Sequence, residues 1–183
     1  MEKNKATFVS HLIELRSRLL NTFILFILIF IISYLFSENI YNFLVKPYSN
    51  AIIENNLERR LIFTALHEAF LTYLKVAFFT SLFISSPFFL IQVWKFIAPG
   101  LYQNEKKALL PYLVSTPLLF LIGGILVYYF IMPLAIKFFL SFETIASPNN
   151  IAIQLEAKVN EYLALIMRLI FAFGLSFQLP VVL

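Results

Sequence analysis

From Leu19 to Phe36 the chain runs for 18 residues without a charge. A helix of that length can cross the ~30 Å hydrocarbon core of a bilayer. Inside that core every backbone polar group must be satisfied by the segment itself or its neighbours, which favours helix. Three more apolar runs follow, and the four spans are placed at about 18–36, 69–97, 108–132 and 162–183. The expected fold class is therefore all-α, a polytopic membrane helix bundle forming one membrane domain over 1–183. Composition agrees: 61% of residues are hydrophobic and 13% charged, with mean hydropathy +0.85. A soluble domain is about 25% charged. The absence of cysteine excludes disulfides, thiolate metal sites and cysteine nucleophiles. The net charge of +4 reflects loop anchoring and carries no nucleic-acid footprint.

Immediately before and into the first run stands His11-Leu-Ile-Glu-Leu-Arg-Ser-Arg-Leu-Leu20. Glu14 and Arg18 are spaced i,i+4 and can pair on a helix, whereas Arg16 points elsewhere. Taken alone, these residues allow two readings. They can anchor the start of the first span at the cytoplasmic face, as basic flanks do, or they can form a polar site. Glu2, Lys3 and Lys5 precede them and no small-residue cleavage site follows, so the span is expected to be retained.

The segment 37–68 is long for a connector and is expected to have structure of its own. Its Tyr41, Leu44 and Tyr48 suggest a short amphipathic stretch on the surface. In the second span Lys75 can snorkel to the interface and Pro87 should kink the helix. Trp94 and Tyr102 have the placing of interface aromatics. In the third span Pro111, Pro117, Gly123 and Gly124 bend a helix that the membrane tolerates. The second outer segment is placed at 133–161, with a loop at 147–150 and a helix start near Glu156 to Glu161. The fourth span is still apolar at Leu183, so the sequence reads as truncated at its C-terminus, with further spans expected. Within it, Gln178 precedes Pro180. An amide in hydrocarbon needs a partner, either in a neighbouring helix of the same fold or in another protein. Arg168 lies ~15 Å along the helix from Gln178 and reads as a snorkelling anchor.

Lys3, Lys5, Arg16, Arg18, Lys106 and Lys107 face one side of the membrane, and Lys46, Arg59, Arg60, Lys137 and Lys158 the other. The positive-inside bias places the first group, and the N-terminus, in the cytoplasm. No phosphate-binding or dinucleotide glycine pattern occurs. His67-Glu68-Ala-Phe-Leu71 begins like a zinc-protease motif but lacks its second histidine. A membrane enzyme would need a nucleophile–base or metal set. A secondary transporter for a small solute, the alternative function, would be expected to show internal repeats, and none is found.

Four stretches resemble the TatC family, the receptor subunits of the twin-arginine protein translocase. They are His11 to Leu19, Phe96-Ile-Ala-Pro-Gly-Leu-Tyr-Gln-Asn-Glu105-Lys, Pro133-Leu-Ala, and Phe173-Gly-Leu-Ser-Phe-Gln-Leu-Pro180. They fall in the family's order and cover the whole chain; the first two are specific and the third alone is weak. The resemblance implies six spans, of which this chain holds four, with both termini of the whole protein cytoplasmic. It implies a receptor for folded cargo whose signal peptide carries paired arginines, driven by the proton-motive force, without catalysis or cofactor. The implied signal-peptide site is Glu14, Arg16 and Glu105, with Phe96 and Tyr102, while Pro47 and Pro87 resemble structural positions. Carboxylates suit that task, because guanidinium pairs with carboxylate in a two-bond fork that lysine does not reproduce. Arg16 would orient a carboxylate or meet other polar groups of the signal. Implied partners are single-span TatA- and TatB-type subunits, further copies of the chain and membrane lipids. The implied location is the bacterial inner membrane; a plastid or mitochondrial membrane also fits the composition. Where many family members carry Glu, this chain has Gln178. Gln cannot ionise, so a titrating role there is in doubt, whereas a hydrogen bond to a partner helix survives.

Overall fold

The computed structural model describes residues 2–54, 59–97, 103–144, 151 and 153–182, with side chains described outside 2–11, 94, 97, 103–110, 112–113 and 181–182. The fold is an all-α polytopic bundle. Helix α1 spans Glu2–Leu35 and α2 spans Ser37–Glu54. Then come α3 (Glu68–Ile97) and α4 (Gln103–Leu126). A π-helical turn, Val127–Ile131, leads without a gap into α5 (Met132–Leu140). The chain ends in α6 (Val159–Ser176) and the four-residue α7 (Leu179–Val182). Among the described residues, four segments are long and apolar enough to cross a membrane: Leu12–Leu35, Glu68–Val93, Val114–Leu140 and Val159–Ser176. They alternate in direction. We call the end where α1 begins the near end, and the end carrying α2 the far end.

Three boundaries differ from expectation. The segment 37–68 holds an 18-residue helix in place of a short surface stretch, and Leu44 and Tyr48 are buried in the core. The third spanning helix continues to Leu140, past the expected end at 132. Its ladder widens at the π turn, where Met132 N–H reaches the carbonyl of Val127, one residue before Pro133, which has no N–H to give. The fourth span is broken. After Ser176 the chain turns at Phe177 and Gln178 before α7 begins. Pro180 cannot donate back to the carbonyl four residues earlier, so an unbroken helix over 162–183 would lose that bond in any case.

The core gathers at the far end. Leu44, Tyr48, Ala51 and Ile52 of α2 meet Val76 of α3, Val127 and Tyr128 of the π turn, Met132 and Ile136 of α5, and one face of α6 from Val159 to Ile170. Lower down, α4 and α6 cross at glycines. A Cβ on Gly123 would stand 2.9 Å from Gly174 Cα and 2.9 Å from the Phe173 carbonyl oxygen, so the backbones touch there. Without a hydrophobic driving force between helices in lipid, such close approach supplies van der Waals contact.

The two outer segments are stapled together. Ile62 pairs with residues 157 to 159: its N–H donates to the Ala157 carbonyl at 3.1 Å, and Val159 N–H donates to Ile62 at 3.1 Å. Thr144 and Ile153 exchange backbone bonds of 3.0 and 3.2 Å. Arg59 grips Glu143 through Nε (3.3 Å) and Nη2 (3.2 Å), while Leu155 N–H donates to the same carboxylate at 2.8 Å. The Arg59 bonds, followed by that backbone donor, hold the Glu143 carboxyl below its ordinary pKa.

Candidate functional site

At the near end α1 carries the polar groups of the opening motif. Glu14 Oε1 accepts from Arg18 Nε at 3.1 Å and Nη2 at 2.6 Å, as the i,i+4 spacing predicts. Arg18 then reaches across to α3, where Nη1 donates to Gln92 Oε1 at 3.0 Å. A carboxylate, a guanidinium and an amide thus join α1 to α3, and α1 packs chiefly on α3. The pair is only half-buried, with side-chain exposures of 25% for Arg18 and 37% for Glu14, so it adds little to stability. Its chemistry is that of an accessible carboxylate already shaped to a guanidinium.

Arg16 is exposed and makes no hydrogen bond among the described residues. The guanidinium that holds Glu14 is Arg18, as the i,i+4 spacing predicts. Phe96 is half-buried in the last turn of α3, at the same end. Glu105 belongs to the first turn of α4, again at the near end, but its side chain lies outside the described residues. Tyr102 lies wholly outside them. Gln92 was not foreseen. An amide between Ile91 and Val93 in an apolar helix needs a partner, and that signal was available.

Gln178, in the turn after α6, is buried. Its Nε2 donates to the Thr116 carbonyl of α4 at 2.8 Å, while Oε1 is buried with no hydrogen-bond partner among the described residues. Half of this amide therefore ties the fold internally.

The two prolines of interest each lie inside a continuous helix, and side-chain hydroxyls serve the carbonyls they leave free. Pro47 is buried in α2 at the far end and lacks the N–H that would satisfy the Phe43 carbonyl. Tyr128 Oη donates to that carbonyl at 2.8 Å, and Tyr162 Oη to the next one, Leu44, at 3.1 Å. Pro87 in α3 likewise frees the Phe83 carbonyl, and Ser86 Oγ donates to it at 2.7 Å. Pro47 thus belongs to the α2 scaffold, at the opposite end from Glu14. The sequence singled out neither Tyr128 nor Tyr162, although a tyrosine hydroxyl in an apolar helix needs an acceptor.

Residues 10–183 match the family described as Sec-independent protein translocase protein (TatC). Among curated relatives, the TatC of Magnetococcus marinus is 48% identical over 179 residues, covering 98% of this chain and 63% of the relative. The TatC of Rickettsia prowazekii is 46% identical over 176 residues, covering 96% and 68%. That of Escherichia coli K12 is 38% identical over 173 residues, covering 94% and 64%. The chain thus spans about two thirds of the length of these relatives, all named for protein translocation and none for an enzymatic reaction. A crystal structure of the twin-arginine translocase receptor TatC superposes with a TM-score of 0.77 at 32% identity, covering 94% of this chain and 72% of that one. With residues 10–183 matched to the family model and the fold superposing on a solved TatC, this chain is a multi-pass membrane protein of the TatC family.

Proposed function

We propose that the chain is the core membrane component of a twin-arginine translocation system, binding twin-arginine signal peptides of folded cargo at its near end and using the proton-motive force. The near end would face the cytoplasm of a bacterium, across its inner membrane. The observation that carries this reading is the Glu14–Arg18–Gln92 cluster. It is a carboxylate already held in guanidinium geometry and open to water, where an arginine of a signal could share Glu14 with Arg18 or displace it. Glu105 would supply the second carboxylate from the first turn of α4. Arg16, Phe96 and Tyr102 would line the same face. Gln178 Oε1 would take a donor from a single-span TatA- or TatB-type helix, and copies of the chain would associate through the exposed apolar faces. Family membership weighs against the solute-transporter alternative.

The test is binding of a labelled signal peptide to the protein in nanodiscs, with Arg-Arg and Lys-Lys versions compared. The wild type should prefer Arg-Arg. Glu14→Gln and Glu105→Gln should each weaken binding by roughly 1.5–3 kcal/mol, toward the low end because the site is wet. The double variant should lose less than the sum if both carboxylates hold one arginine pair. Glu54→Gln, exposed at the far end, should leave binding unchanged. Full Arg-Arg preference in both near-end variants would reduce the motif to a membrane anchor.

A further inference from the structure

Between α1, α3 and α6 lies an open groove of about 600 Å³ walled by Phe30, Phe78, Phe79 and Phe171. Two cations stand among these rings, Lys75 from α3 and Arg168 from α6, and among the described residues no carboxylate lines the groove. Lys75 Nζ donates to Asn160 Oδ1 at 2.8 Å, a neutral partner. Arg168 is exposed and has no hydrogen bond or ion pair among the described residues. The carboxylates in the first turns of α3 and α6 have partners of their own. Glu68 accepts from Thr64 and Ala65 N–H at 2.7 and 3.2 Å, and Glu161 lies 3.8 Å from Lys158.

Depth decides what such a pair can meet. Lys75 follows the start of α3 by about 10 Å of helix, and Arg168 the start of α6 by about 13 Å. Both lie in the half of the membrane nearer the far end. Long basic side chains at that level extend their heads toward the interface while their stems cover apolar surface. Their charges then sit at the boundary between acyl chains and headgroups. An unneutralised guanidinium facing lipid is costly and marks a functional site by default.

We propose that this groove is a binding site for one anionic phospholipid of the far-end leaflet. Its phosphate bridges Lys75 and Arg168, and an acyl chain lies along the phenylalanine walls. Two cations without a carboxylate favour a headgroup that carries no cation of its own, so phosphatidylglycerol fits and phosphatidylcholine does not. Basic pockets between transmembrane helices are known to take lipid headgroups. The role assigned to Arg168 thereby becomes specific, where a snorkelling anchor would accept any headgroup.

The experiment is native mass spectrometry of the protein released from nanodiscs of equal phosphatidylglycerol and phosphatidylcholine. Retained lipid on the wild type should be enriched at least fivefold in phosphatidylglycerol. Enrichment should fall below twofold in K75Q/R168Q and lie between these values in each single variant. Should the double variant fail to fold, K75R/R168K keeps both charges and should retain the enrichment, while R168Q alone should halve it or more. Equal retention of both lipids by the wild type, or unchanged enrichment in R168Q and K75Q/R168Q, overturns the proposal. A photocrosslinker at Phe78 that captures a protein helix in place of lipid also overturns it.

Discussion

The two ends of the bundle are built on opposite principles. At the far end, α2, α5 and α6 bury a continuous core, and the outer segments are tied by backbone pairs and the Arg59–Glu143 fork. Toward the near end, α1 packs chiefly on α3 and leaves most of its surface facing outward. Of its described side chains only Ser33 is buried, and Leu19, Phe23, Leu28 and Ile31 face outward. A rigid far end can hold the helices in register, leaving the near end free to present polar groups. Local stability is not uniform in proteins, and binding regions are drawn from the less stable end.

The comparison can be broken first at its joint. Gly123→Val pushes a branched side chain into the α6 backbone, where even a Cβ would sit 2.9 Å from Gly174. We expect a loss of about 3 kcal/mol or more, or no folded protein, read by thermal unfolding and by yield in detergent. A variant of wild-type stability would mean that α4 and α6 do not cross at these glycines.

The next effect tests the scaffold at Pro47. Tyr162→Phe strips the buried hydroxyl from the Leu44 carbonyl and should cost about 1–3 kcal/mol, with Tyr128→Phe similar at Phe43. Either change should alter hydrogen exchange in α2 and leave α1 as it was. If exchange rose equally in both, the two ends would be coupled and would not be built independently.

A smaller effect concerns pH. The folded-state pKa of Glu143 is lowered from 4.5. Its contribution is therefore fully present above that value and is lost as pH falls through the folded pKa. Arg59→Gln should remove most of this acid dependence and cost at most about 1 kcal/mol at neutral pH. Unfolding measured from pH 6 to pH 3 in both proteins checks it; parallel curves would assign the acid sensitivity to other carboxylates.

The smallest stability effect belongs to the near end. Glu14→Gln removes a half-exposed i,i+4 pair and should cost about 0.3–0.5 kcal/mol, within the scatter of many melts. Its effect on signal-peptide binding is expected to be far larger. That separation between stability and recognition is what the contrast of the two ends requires.

Much of this was readable one residue at a time. The Glu14–Arg18 pair follows from helical spacing alone, and the need for partners at Pro47, Pro87 and Gln178 follows from a missing N–H or a buried amide. The identity of those partners was not. Pro47 is capped by tyrosines 81 and 115 residues later in the chain, and nothing in local pattern says which hydroxyl will reach which carbonyl. Arg16 and Arg18 differ by two positions, a rotation of about 200° on a helix, yet only packing against α3 and Gln92 shows which face is inward. The third span ran past its expected end because the apolar run continues from Pro133 to Leu140 apart from Lys137, and the π turn carries the helix past Pro133.

The sequence by itself determined that this chain is a membrane helix bundle. Long uncharged runs have one low-energy environment, and a short list of motifs identified its family. Tertiary structure alone decided where the core lies, that Gln92 joins the Glu14–Arg18 pair, and that Lys75 and Arg168 share one groove. Those outcomes depend on how helices far apart in the chain are rotated against one another, and in lipid, where apolar faces are interchangeable, rotation is set by close packing and by a few polar bonds.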